Sequence, residues 1–188
     1  MTLSVLDPKP ALVVIDLQKG ITGYPTVHPM EDVVRRSADL AAAFRSHGLP
    51  VVLVNASGGA PGRTDAVSPR SGRTPEPDWT EIVAELDPQP TDLRVTKQTW
   101  GAFHNTPLDS LLQELGVTQI VLTGVATSAG VESTARAAHE HGYHVVLATD
   151  AMTDMEADRH HNSVERIFPR LGESTTAAEV IDQLAKSR

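Results

Sequence analysis

Apolar and polar positions along the chain fall into two alternating patterns. Short continuous apolar runs stand at Ala11–Ile15, Val51–Val54 and Gln119–Thr123, with Tyr143–Ala148 close in character. Runs of this length, rich in β-branched residues and without alternation, predict strands buried on both faces. Leu93–Thr96 alternates and predicts another strand, running into Lys97; a short one is expected at Glu173–Thr175. Between them the period lengthens. Val33, Val34, Leu40, Ala41 and Phe44 follow a helical repeat that closes at His47-Gly48. So do Leu108, Leu111, Leu112 and Leu115, stopped by Gly116, and Val131, Ala135 and Ala138, stopped by Gly142. Further helices are expected at Trp79–Leu86, Ala157–Phe168 and Ala177–Lys186. Leu17–Pro29 and Asn55–Asp78, rich in Gly and Pro, predict loops, the second long enough to suggest a functional segment. Arg63, Arg70 and Arg73 in that loop are suited to solvating it or to contacting an anionic substrate.

Strands alternating with helices imply βαβ units, right-handed crossovers and a parallel sheet covered on both faces, an α/β fold. The 188 residues suit one domain, 1–188, with no repeat or linker. In such sheets ligands bind outside the carboxyl ends of the strands, where the strand order reverses.

Composition narrows the chemistry. The net charge is −8 and no run of Lys or Arg stands out, which argues against nucleic acid or an anionic membrane as partner. No apolar stretch approaches the roughly 18 residues that span a bilayer, and Met1–Pro10 does not read as a signal peptide. A cytoplasmic location is expected. There are no cysteines, so disulfides, thiolate metal sites and a cysteine nucleophile are excluded.

Three features are expected at the carboxyl edge: Asp16 after the first strand, Lys97 after the third, and the turn around Gly130 after the fourth. An acid and a lysine brought together can act on a substrate oxygen or serve as a plain structural ion pair; residue types alone leave both open. The Gly130 turn joins a strand to a helix N-terminus, a favourable place for developing negative charge. A glycine there costs about 1 kcal/mol relative to alanine, so it marks either a close approach or a place that needs no side chain. Ser128 suits an N-cap better than a nucleophile, and Ser133 and Thr134 suit packing or back-bonding. Trp100 and Phe103, beside Lys97, are expected to line an apolar pocket or join the core. Eight histidines raise the question of a metal. Their spacing, with His160 and His161 adjacent and so off any shared helix face, leads to an expectation of none, and of no cofactor.

Val13–Gln18, Thr96–Phe103 and Gly124–Arg136 together resemble the isochorismatase-like, or cysteine hydrolase, superfamily, in order and over nearly the whole chain. The resemblance implies a Rossmann-like three-layer α/β/α sandwich with a mostly parallel central sheet. It also implies a homo-oligomer acting on a small molecule. Amidohydrolases of that superfamily use an Asp, a Lys and a Cys; Asp16 and Lys97 match the first two, and Gly130 stands at the third. Covalent amide hydrolysis by that route is therefore not expected. Isochorismatases resemble the chain here, because they too carry glycine in place of cysteine and cleave a vinyl ether with water. The resemblance then implies Asp16 as acid, Lys97 as its partner, and Gly130 with Ala126, Thr127, Ser128 and Ala129 as the substrate-facing turn. An acid role needs the proton on Asp16, so the pull of Lys97 must be offset by burial. The alternatives are a hydrolase using Ser128 and a family member that has lost its reaction and binds or scaffolds.

Overall fold

The structure, a computed structural model, describes residues 3–60, 62–65 and 76–187. Strands β1 (Pro10–Ile15), β2 (Val51–Ala56), β3 (Leu93–Lys97), β4 (Gln119–Val125), β5 (His144–Thr153) and β6 (Glu173–Thr175) form one sheet in the order β3-β2-β1-β4-β5-β6. Every pairing is parallel, where a mostly parallel sheet was expected. Helices are α1 (Lys19–Thr22), α2 (Met30–Ser46), α3 (Leu108–Glu114), α4 (Glu132–Glu140), α5 (Ala157–Asn162) and α6 (Ala177–Ser187).

All six residues of β1 are buried because helices cover both faces. Successive side chains point to opposite sides. Leu12 and Val14 thus join Leu40, Phe44 and Val180 on the side of α2 and α6, while Ala11, Val13 and Ile15 join Leu108, Leu112, Ala135 and Phe168 on the other. These are the two apolar layers of an α/β/α sandwich. The chain leaves β1 for β2 and β3 on one side and returns through β4 on the other, so the order reverses between β1 and β4. At that crevice Gly124 has φ +111°, and a Cβ there would lie 2.0 Å from the Ile15 carbonyl oxygen. The end of β4 thus closes on the end of β1 as only glycine allows.

Three segments depart from the sequence reading. The helix expected at Trp79–Leu86 is a turn followed by a 3₁₀ turn at Ala84–Leu86, with Ile82 bridged to Gln18. Its backbone groups pair outward instead of along a helix: Lys19 N–H donates to Glu81 O, Gly20 N–H to Trp79 O and Val83 N–H to Leu17 O. The loop expected at Leu17–Pro29 contains the single turn α1. Strand β5 continues past Asp150 to Thr153, through a register shift that pairs Leu122 with Leu147 but Gly124 with Met152. Of the loop arginines, Arg63 is exposed, and Arg70 and Arg73 lie outside the described residues.

Candidate active site

Asp16 follows β1 with φ +54°, the left-handed conformation that non-glycine residues adopt at a cost of about 1–3 kcal/mol and that clusters at functional sites. Its N–H still reaches Val54 O and its carbonyl accepts from Gln18 N–H, so the bend is held on both sides. Gln18, fully buried, is an anchor of its own. Its Nε2 donates to Ala56 O and Trp79 O, and its Oε1 accepts from Ala56 N–H. The end of β1, the end of β2 and the Trp79 segment are thereby fastened together.

Lys97 ends β3, two strands from β1, about 10 Å at ordinary strand spacing. Its long stem bridges that distance. Lys97 Nζ lies 2.7 Å from Asp16 Oδ2 and 3.1 Å from Thr99 O. Lys97 is 2% exposed and Asp16 6%. Such a pair, withdrawn from water, interacts far more strongly than a surface ion pair, and losing either partner leaves a costly buried charge.

The third part of the site is the turn after β4. Thr127–Val131 winds as a π-helical turn, wider than an α-helix and frequent at functional sites, before α4 begins at Glu132. Ala126 joins Val125 through a cis peptide. A Cβ added at Gly130 would lie 3.2 Å from Asp16 Oδ2 and 3.0 Å from Ile15 Cγ2. The missing side chain thus belongs directly over the carboxylate, and even a methyl group there would press its neighbours. Thr134 Oγ1 back-bonds to Gly130 O at 2.6 Å and accepts from Ala102 N–H, fastening the segment after Lys97 to α4.

Asp16, Lys97 and Gly130 therefore converge. Trp100, Ser128 and Ala129, with Glu132, Asp158, Arg159 and Asn162, line an open cleft of about 530 Å³ beside the turn. Trp100 is 64% exposed there. Phe103 does not join it. It lies 8% exposed in the core, its ring 5.1 Å from His141 and 5.9 Å from Tyr143. The apolar layer around α3 and α4 claims it. Ala126 is half-buried, and Thr127 is fully buried with its hydroxyl 2.9 Å from His160 Nδ1.

Ser128 does not cap the helix with its side chain. Instead its N–H donates to Asp154 Oδ2 at 2.7 Å, and Asp154 Oδ1 accepts from Met155 N–H. A buried carboxylate from the end of β5 thus satisfies the turn. Among the described residues the Ser128 hydroxyl makes no hydrogen bond to a base. Sequence reasoning missed Asp154 because the strand was ended near Asp150. The apolar pair Ala151-Met152 after a polar interruption was the available signal. It also missed the histidine pair: His160 packs edge-on against His28 with ring centres 4.7 Å apart, and His28 Nδ1 lies 3.2 Å from Thr153 Oγ1. Burial, then the neighbouring imidazoles of His28 and His161, hold the His160 ring below the ordinary histidine range, with Asp154 pulling weakly the other way. No group of three or more His, Asp or Glu side chains among the described residues is arranged to hold a metal ion.

This architecture has close counterparts among known proteins. The isochorismatase domain family matches residues 10–179. The uncharacterized isochorismatase family protein YwoC of Bacillus subtilis (strain 168) is 40% identical over 193 residues, covering 97% of this chain and 98% of its own. Maleamate amidohydrolase of Pseudomonas putida is 31% identical, covering 94% and 87%. The solved structure of an isochorismatase family protein from Burkholderia thailandensis superposes with a TM-score of 0.91 at 42% identity, covering 96% of this chain and 98% of that one. The chain belongs to the isochorismatase family and is by class a hydrolase.

Proposed function

We propose that the protein hydrolyses a small molecule without covalent catalysis, at a vinyl ether of the isochorismate type, with Asp16 as acid and base and Lys97 as its partner. The observation that carries this reading is the place of Gly130. The position that bears the sulfur in the cysteine hydrolases it resembles abuts Asp16 Oδ2, yet holds only hydrogen, while the Asp16–Lys97 pair is intact at 2.7 Å.

In this reading Asp16, paired as a carboxylate with Lys97 at rest, takes up a proton from solvent as the substrate enters and delivers it to the terminal carbon of the C=C–O unit. The ether carbon becomes an oxocarbenium ion and water attacks it, returning a proton to the Asp16 carboxylate. The hemiketal so formed collapses to a carbonyl compound and an alcohol, with one water consumed. The ammonium of Lys97 orients the carboxyl group. The amides of the Gly130 turn and the Trp100 cleft hold the remainder of the substrate. The reading includes a homo-oligomer in the cytoplasm that needs no cofactor.

A panel of vinyl ethers, small amides and small esters offered to the wild type and to Gly130→Cys tests it. Turnover of a vinyl ether but of no amide by the wild type is expected. Silence of the wild type on the whole panel, with new amidase activity in Gly130→Cys, would show a decayed amidase instead.

A further inference from the structure

Against the Gly130 turn the buried Thr127, Thr153, Asp154 and His160, with the half-buried His28, form a polar cluster that the proposed chemistry does not use. Thr127, the first residue of the turn, pairs its hydroxyl with His160 Nδ1 at 2.9 Å. The next residue, Ser128, gives its N–H to Asp154. His160 is 6% exposed, and its ring stands 4.7 Å from that of His28 and 5.8 Å from that of His161. His28 is itself tied to Thr153 by its backbone N–H and by its ring. Thr127 opens the π turn at Thr127–Val131, and His160 stands three residues ahead of a second π turn at Ser163–Ile167.

We infer that His160 is a positioning residue for the Gly130 turn: its neutral ring seats Thr127, and protonation of that ring releases the turn. The inference concerns the turn named in the reading above, and it is tested without a substrate, so the two fail separately.

The physical cause is the poor accommodation of a cation. The titratable groups that face the ring are His28, from the loop ahead of α2; His161, on α5 itself; and Asp154, at the end of β5. Two are imidazoles, which offer a positive ring no countercharge. The one carboxylate is already engaged by two backbone N–H groups. Swinging the ring toward water relieves the cost, as does drawing Asp154 to it, and either movement removes a support of the turn: the Thr127 contact or the Ser128 contact. Burial alone already lowers the ring's affinity for a proton. The contact with Thr127 is therefore present in full above about pH 6.5, the ordinary histidine value, and is lost only further down, as the pH falls through the lowered value of the buried ring.

Hydrogen exchange with mass analysis, expressed as protection factors for residues 127–131 so that intrinsic exchange cancels, tests this at about pH 8 and at a pH below the midpoint at which the His160 ring titrates by NMR. In the wild type, protection is expected to fall by about tenfold or more at the lower pH. In His160→Gln, whose amide can still bond Thr127 but gains no proton, protection is expected to be equal at both values. Equal protection in the wild type, or the same fall in His160→Gln, overturns the inference. Should that variant not fold, the wild type still decides. By NMR the His160 ring and the Ser128 amide are expected to titrate with one midpoint, and different midpoints overturn the assignment.

Discussion

The proposed chemistry depends on two side chains and one that is missing. Lys97 and Asp16 are both buried and 2.7 Å apart, so removing one charge is more damaging than removing both. Lys97→Met is expected to cost about 3–5 kcal/mol in denaturant unfolding, because the carboxylate loses its ammonium. The double variant Lys97→Met with Asp16→Asn is expected to recover part of that loss. Equal costs for the single and double variants would mean that the pair does not interact. At Gly130 the forces compete. Alanine improves helix propensity by about 1 kcal/mol, but its methyl group meets Ile15 Cγ2 at 3.0 Å and Asp16 Oδ2 at 3.2 Å. Gly130→Ala is therefore expected to leave the unfolding midpoint near the wild type while kcat falls, since the displaced atom belongs to the proposed acid. Unchanged kcat would place the reacting atoms elsewhere.

Elements position those residues, and the strands were the most readable of them. Continuous β-branched runs have one stable place, the middle of a covered parallel sheet, so β1, β2 and β4 could be read from the chain alone. β6 was legible at Glu173–Thr175 without an error of bounds. The meeting of Asp16 and Lys97 at the carboxyl edge was legible for the same reason, as both stand at strand ends. What could not be read was whatever depends on partners distant in sequence. Trp79–Leu86 has the spacing of a short helix, but its backbone groups are claimed by residues 17–20. Phe103 has the look of a pocket residue, but His141 and Tyr143 claim its ring. Asp154 became relevant only through the register shift in β5. The charged cap it gives the turn leads to a further expectation. Asp154→Asn keeps the shape and loses the charge, and is expected to destabilise the fold by about 1–3 kcal/mol. Asp154→Ala is expected to cost more. Denaturant midpoints for the two variants check the order.

At the scale of the whole molecule, stability is bounded by pH on both sides. On the acid side His160, held below 6.5, binds a proton more readily when unfolded. Its contribution is therefore intact above about pH 6.5 and is lost as the pH falls. On the alkaline side Tyr143 is raised above 10.0, first by burial and then by its hydrogen bond to Asp109. The neutral phenol is the one the fold favours, so stability is intact below about pH 10 and declines as the pH rises past it. Tyr143→Phe is expected to flatten the alkaline limb of a Tm–pH curve and leave the acid limb in place; a limb unchanged by the substitution would assign it to other groups. No helix among the described residues is long and apolar enough to cross a membrane.

In the proposed reaction a carboxyl group performs, without sulfur, the step that opens the substrate. The rate of vinyl-ether hydrolysis by Asp16→Asn, set beside the wild type with both shown to be folded, tests it most directly. A loss of about 10²–10⁴-fold in kcat is predicted, the usual reach of general acid catalysis. Turnover at the wild-type rate would contradict the account.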